Sequence, residues 1–206
     1  MEVMLSFFIN NSMLIEFDIC SILFLIPLQK KKYFWLRVVP MLILVIFMGA
    51  KAYALTVNVL HIHSGFSLGV DLFLVIALFY FTTELSPEDA LFGMVCTFAV
   101  QNMNYNICEI AGILKPLGIV EAELREMLIL MVLVIPSYFL FAKKLAPNGH
   151  FGRKWGEALL AFGIVIPFAF FMSMFASDLY RAAGEKAKGL YIICRLYAFL
   201  CCIFVL

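Results

Sequence analysis

Long apolar runs alternate with short polar ones along the whole chain. A helix that crosses a bilayer needs about 20 consecutive apolar residues, within a range of roughly 17–25. Runs of that kind lie near Phe7–Leu28, Leu36–Leu55, Phe66–Phe81, Ala90–Leu114, Leu124–Leu145, Ala158–Phe175 and Leu190–Leu206. This pattern predicts an all-α fold, a polytopic transmembrane helical bundle of about seven spans. The bundle takes up residues 1–206 as a single unit, with no soluble domain. The third run is the shortest. If it were re-entrant, the count would fall to six and the C-terminus would change sides. The strict alternation of a barrel strand is absent, and at this hydropathy only helices satisfy every backbone group within lipid.

The polar punctuation supports these boundaries. Ser86-Pro87-Glu88-Asp89 reads as a helix start. Ser86 can cap, Pro87 suits the first turn, and the two acids face the positive helix end. Lys115-Pro116-Leu117-Gly118 and Ala146-Pro147-Asn148-Gly149 read as turns. Pro136 and Pro167 fall within the fifth and sixth runs and are expected to kink them, because each removes a backbone hydrogen bond.

Composition agrees with the pattern: 65% of residues are hydrophobic and 14% charged, far from the proportions of a soluble domain. A net charge of +1 points to neither nucleic acid nor an acidic substrate, and membrane lipid is the expected surrounding. Charge placement sets an orientation, because cytoplasmic loops are enriched in Lys and Arg. The two densest basic clusters, Lys30-Lys31-Lys32 with Arg37 and Lys143-Lys144 with Arg153-Lys154, fall on one side. That side is assigned as inner, which places the N-terminus outside and Leu206 at the cytoplasmic face of a multi-pass cell-membrane protein. Trp35 and Trp155 stand beside these clusters as interfacial anchors. The N-terminus lacks the basic leader of a signal peptide, so the first run is expected to be retained. The apolar ending, Cys201-Cys202-Ile203-Phe204-Val205-Leu206, suggests a membrane portion of something longer or a stand-alone remnant of it.

Polar residues inside spans are costly and mark candidate functional sites. The fourth run carries the densest set, from Gln101 to Glu109. At about 100° per residue, Asn102, Tyr105, Asn106 and Glu109 share one face, while Gln101, Asn104 and Cys108 lie on the adjacent one. Such a helix should sit in the bundle interior. It can form a ligand pocket, a polar core that repacks between two states, or interhelical hydrogen-bond glue of about 0.6 kcal/mol per contact. Glu16 and Asp18 lie in the first run, Glu16 about 13 Å from its outer end. Glu109 and Arg195 lie about 8 Å and 9 Å below the outer ends of their spans. Matched depth and opposite charge predict a Glu109–Arg195 pair, with snorkelling of Arg195 as the alternative. The candidate ligand-binding or switch core is thus Glu16, Gln101, Asn102, Asn104, Tyr105, Asn106, Glu109 and Arg195. Asp71 is expected near an outer helix end, where solvation or neutralisation is easy.

No catalytic constellation is recognisable. His61-x-His63 has no convincing third ligand nearby, so no metal site and no cofactor are expected. The six cysteines, Cys20, Cys96, Cys108, Cys194, Cys201 and Cys202, lie inside apolar runs and read as small packing residues.

Two stretches carry a family resemblance. Pro27-Leu28-Gln29-Lys30-Lys31-Lys32-Tyr33-Phe34-Trp35-Leu36-Arg37 follows an acid-bearing first helix, and Leu85-Ser86-Pro87-Glu88-Asp89-Ala90-Leu91-Phe92-Gly93 leads into Gln101-Asn102 and Tyr105-Asn106. Both resemble the N-terminal membrane sensor region of GHKL-type sensor histidine kinases of Gram-positive bacteria. The resemblance implies a two-component signal-transduction role, with a peptide or small-molecule signal read by the bundle, a homodimeric assembly, and a last helix leading to a cytoplasmic kinase. The chain has no phosphoacceptor-histidine helix and no ATP-binding domain, so any kinase activity would need a downstream domain. The competing class is transport, either a small-molecule transporter or the substrate-capture subunit of an importer. The absence of an internal repeat weighs against a symmetric transporter.

Overall fold

The computed structural model describes residues 12–55, 65–115 and 118–206. These residues form helices joined by short connections. They are α1 (Ser12–Leu25), α2 (Phe34–Ala54), α3 (Gly65–Thr82), α4 (Pro87–Leu114), α5 (Ile119–Ser137), α6 (Trp155–Ala183) and α7 (Lys188–Val205). Among the described residues there is no strand beyond an isolated bridge between Lys30 and Thr83. Three segments are long and apolar enough to cross a membrane: Phe34–Ala52, Leu124–Leu145 and Lys188–Val205. Gly69–Thr82 and Trp155–Ala169 are apolar but shorter.

The local chemistry explains the boundaries. Ser86 accepts a hydrogen bond from the Asp89 amide at 3.3 Å, and Pro87 opens α4 where its missing N–H costs nothing. Asp89 does more than face the helix end, because its carboxylate also accepts from the amides of Arg153 at 2.9 Å and Gly152 at 3.2 Å. The start of α4 is thereby tied to the loop before α6. Pro136, expected to kink its helix, stands just before a stretch of π-helix, Tyr138–Ala142, which leads into Lys143–Leu145. A wider turn next to a proline is how a helix continues after losing a backbone bond. Pro167 lies within the unbroken α6 and Pro40 within the unbroken α2. Of the predicted turns, 146–149 is present, with Gly149 at φ 80°, a left-handed conformation that suits glycine. Pro116 and Leu117, like His61 and His63, lie outside the described residues.

Three connections meet at one end of the bundle. The Gln29 amide donates to Gly149 O at 3.0 Å, the Glu84 amide to Gln29 O at 3.0 Å, and the Lys31 amide to Thr82 O at 3.1 Å. Lys31 and Arg37 side chains donate to the carbonyls of Tyr80 and Phe81 at the end of α3, a favourable use of cations at a helix C-terminus. The loops α1–α2, α3–α4 and α5–α6 are therefore stitched together, as helices running alternately up and down require.

α4 is the central helix. It packs against α1, α3, α5, α6 and α7, and most of its side chains are buried from Asp89 to Cys108. The outward faces of the other helices are apolar, with Trp35, Leu36, Leu128, Val132, Phe171 and Phe204 all strongly exposed. A soluble fold normally buries its apolar side chains and exposes its polar ones. Here the most polar helix is inside and the apolar surface is outside, an arrangement compatible with a membrane protein.

Candidate functional site

The polar stretch of α4 presents two faces to two different neighbours. On one, Gln101 and Asn104, three residues apart and so on the same side of the helix, both turn toward α1. Gln101 Nε2 donates to Glu16 Oε2 at 3.3 Å and Asn104 Nδ2 to Glu16 Oε1 at 3.1 Å. Glu16 is only 1% exposed. Each carboxylate oxygen thus receives an amide proton, the bonding a buried carboxyl group requires. The Cys108 thiol extends this face by donating to Asn104 Oδ1 at 3.8 Å.

The other face meets α7. Asn106 Nδ2 donates to both the backbone oxygen and the side-chain oxygen of Asn102, each at 2.7 Å, and the Cys202 thiol lies 3.6 Å from the same Asn102 Oδ1. One turn on, Arg195 of α7 is fully buried. Its Nη1 donates to Asn106 Oδ1 at 3.4 Å, and its Nη2 to Ser177 Oγ at 2.9 Å and Glu109 Oε2 at 3.3 Å. The guanidinium sits 4.9 Å from the Tyr105 ring centre and 5.0 Å from that of Tyr191. Two rings flanking a planar cation supply cation–π attraction and shield it from low-dielectric surroundings. The Tyr191 hydroxyl donates to Glu109. Arg195 therefore joins α4, α6 and α7 in one network.

The structure thus brings all eight residues of the candidate core together on or against α4, in two groups. Glu16, Gln101 and Asn104 form one. Asn102, Tyr105, Asn106, Glu109 and Arg195 form the other. The Glu109–Arg195 pair expected from matched depth is present, and Arg195 is enclosed by protein instead of snorkelling. Glu109, with 37% of its side chain exposed, is the open edge of the network. Three contributors were not singled out from sequence. Tyr191 precedes Arg195 by four residues, so helical spacing alone places it on the same face. Ser177 gives no such signal. Arg125 lies in α5 and donates to the carbonyls of Cys108 and Lys115, capping the end of α4.

Of the two options for Asp71, the structure rules out solvation at a helix end. Asp71 is 4% exposed, and its Oδ1 has no hydrogen-bond partner. The six cysteines are free, and five of them are buried.

No protein-family model, curated protein or solved structure matches this chain.

Proposed function

We propose that this chain is the membrane-embedded sensing region of a two-component sensor histidine kinase, with α7 as the output helix. All seven helices would cross the membrane, the N-terminus outside and the C-terminus cytoplasmic. The observation that carries the reading is the α4–α7 contact. A fully buried arginine on the last helix is held by a carboxylate, an amide, a hydroxyl and two aromatic rings from three helices. Such a network has discrete good arrangements and few intermediate ones, the property a two-state element needs. A signal that binds one arrangement better would shift α7 by rotation or tilt, and the π-turn after Pro136 lets α5 follow. The amides of α4 bond to one another and to neighbouring helices, which favours a packing switch over an open transport cavity.

The orientation is supported by Lys30–Lys32, Lys143, Lys144, Arg153 and Lys154 around the stitched end, with Trp35 and Trp155 exposed beside them. Cysteines placed at Lys31 and Lys186 test it. Only the first should react with a membrane-impermeant thiol reagent applied from the cytoplasm, and only the second from outside. Labelling of both from one side would refute the topology.

The output role is tested by locking the register. Asn102→Cys stands opposite the native Cys202. With the chain joined in frame at Leu206 to a cytoplasmic histidine kinase, the reduced protein should change its autophosphorylation several-fold on addition of peptides extracted from conditioned medium, and the cross-linked protein should not. An unimpaired response after cross-linking would end the proposal.

A further inference from the structure

A second set of buried oxygens lies away from the α4 network. The side of α1 opposite Glu16 carries Leu14, Asp18 and Ser21 at helical spacing. Asp18 is 6% exposed and Ser21 fully buried, and neither Asp18 Oδ1 nor Ser21 Oγ has a hydrogen-bond partner. Asp71 of α3 shares this condition. Its position is made possible by Gly49 of α2: a Cβ there would stand 2.5 Å from Asp71 Oδ1 and 2.7 Å from a Leu14 methyl. Asp71, Gly49 and Leu14 therefore meet at one level, and Asp18 and Ser21 continue the same stripe of α1 inward by one and two turns.

Two buried carboxylates in this wedge would be strongly unfavourable as bare anions. The charged groups of the surrounding helices are engaged elsewhere. Lys51 of α2 is exposed, with its ammonium over the Phe47 ring at 4.6 Å. Arg37 donates to the Phe81 carbonyl at the far end. Glu16 points to α4. Asp71 is the one charged residue of α3. Among the described residues no ion pair reaches Asp18 or Asp71. Among the described residues no cation neutralises them, and carboxylate and hydroxyl oxygens suit a hard, small cation. We propose that this wedge at the junction of α1, α2 and α3 takes up small monovalent cations at two levels: a proton on Asp71, and a proton or a sodium ion at Asp18 and Ser21, which stand three residues apart on one face of α1. This site does not depend on the signalling role of α7.

The test uses the wild-type chain in lipid nanodiscs and dicyclohexylcarbodiimide, which attacks protonated carboxyl groups in apolar surroundings, with mass spectrometry to locate the adduct. The adduct should form on Asp18 or Asp71 at about pH 6 and fall several-fold by about pH 8. If sodium is the ligand, 100 mM NaCl in place of choline chloride should suppress labelling several-fold and raise the unfolding temperature. Asp18→Asn should abolish that sodium effect, and Asp71→Asn should leave it in place. Labelling that responds to pH and not to sodium assigns the site to protons. Absence of adduct on both aspartates at every pH, together with an unfolding temperature indifferent to sodium, overturns the proposal.

Discussion

Buried or half-buried carboxylates occur in two regions of this molecule, and the two regions treat them differently. Around α4, Glu16 is met by two amides of α4, and Glu109 by a guanidinium and a phenol of α7. In the α1–α2–α3 wedge, Asp18 and Asp71 each keep an oxygen with no hydrogen-bond donor. The first region meets its carboxylates with donors of its own and so serves to define packing. The second is incomplete, which is the condition for taking something up. The difference follows from the neighbours. α4 is rich in amides, whereas α2 meets Asp71 with a glycine, Gly49, which has no side chain to donate.

The largest test of this contrast is Arg195→Met, which leaves Glu109 and Asn106 without their cation. It should cost about 3 kcal/mol in unfolding by SDS titration in mixed micelles. A cycle with Glu109→Gln should return a coupling of about 1–3 kcal/mol. Additive single effects would show that the pair contributes nothing specific. Next is Glu16→Leu, which strands two buried amide donors and should cost about 2 kcal/mol, while Glu16→Gln should recover most of the loss. Equal behaviour of the two substitutions would remove Glu16 from the network. Gly49→Ala should cost about 1 kcal/mol, because the new methyl forces Leu14 and Asp71 aside. It should also alter carbodiimide labelling of Asp71, which a merely tighter core would leave unchanged. Smallest of all is Asp71→Asn, expected within about 0.5 kcal/mol of wild type or slightly stabilising at neutral pH. A loss as large as that of Arg195→Met would mean that Asp71 has a fixed partner and that the two regions are alike.

The parts of the fold legible in sequence were those written in local chemistry. The start of α4 at Ser86–Pro87 depends on residues within one turn, and the span Leu124–Leu145 depends on a continuous apolar run; both are found where expected. The Glu109–Arg195 pair could be anticipated because depth along a helix is fixed by rise per residue. Helical period showed that the polar residues of α4 divide into two faces. It could not show that one face meets α1 and the other α7, since that depends on how the helices are arranged around α4. Asp89 illustrates the same limit. Its cap position was evident, but its second role requires the loop before α6 to arrive beside it. The burial of Asp71 was not legible, because a glycine on another helix, twenty-two positions earlier, provides the space for it.

The stitched loops carry one more consequence. Gln29 is bonded to both Gly149 and Glu84, and Asp89 holds Gly152 and Arg153, so six helix ends are riveted into a single plate. Among the described residues α7 contributes no rivet to it. Helices fixed at one end pivot there, and their travel grows with distance from the fulcrum. A push at the opposite face would then splay the far ends of α1 to α6 while leaving the plate rigid, and α7, tied to α4 and α6 through Arg195 instead, would turn or tilt with them.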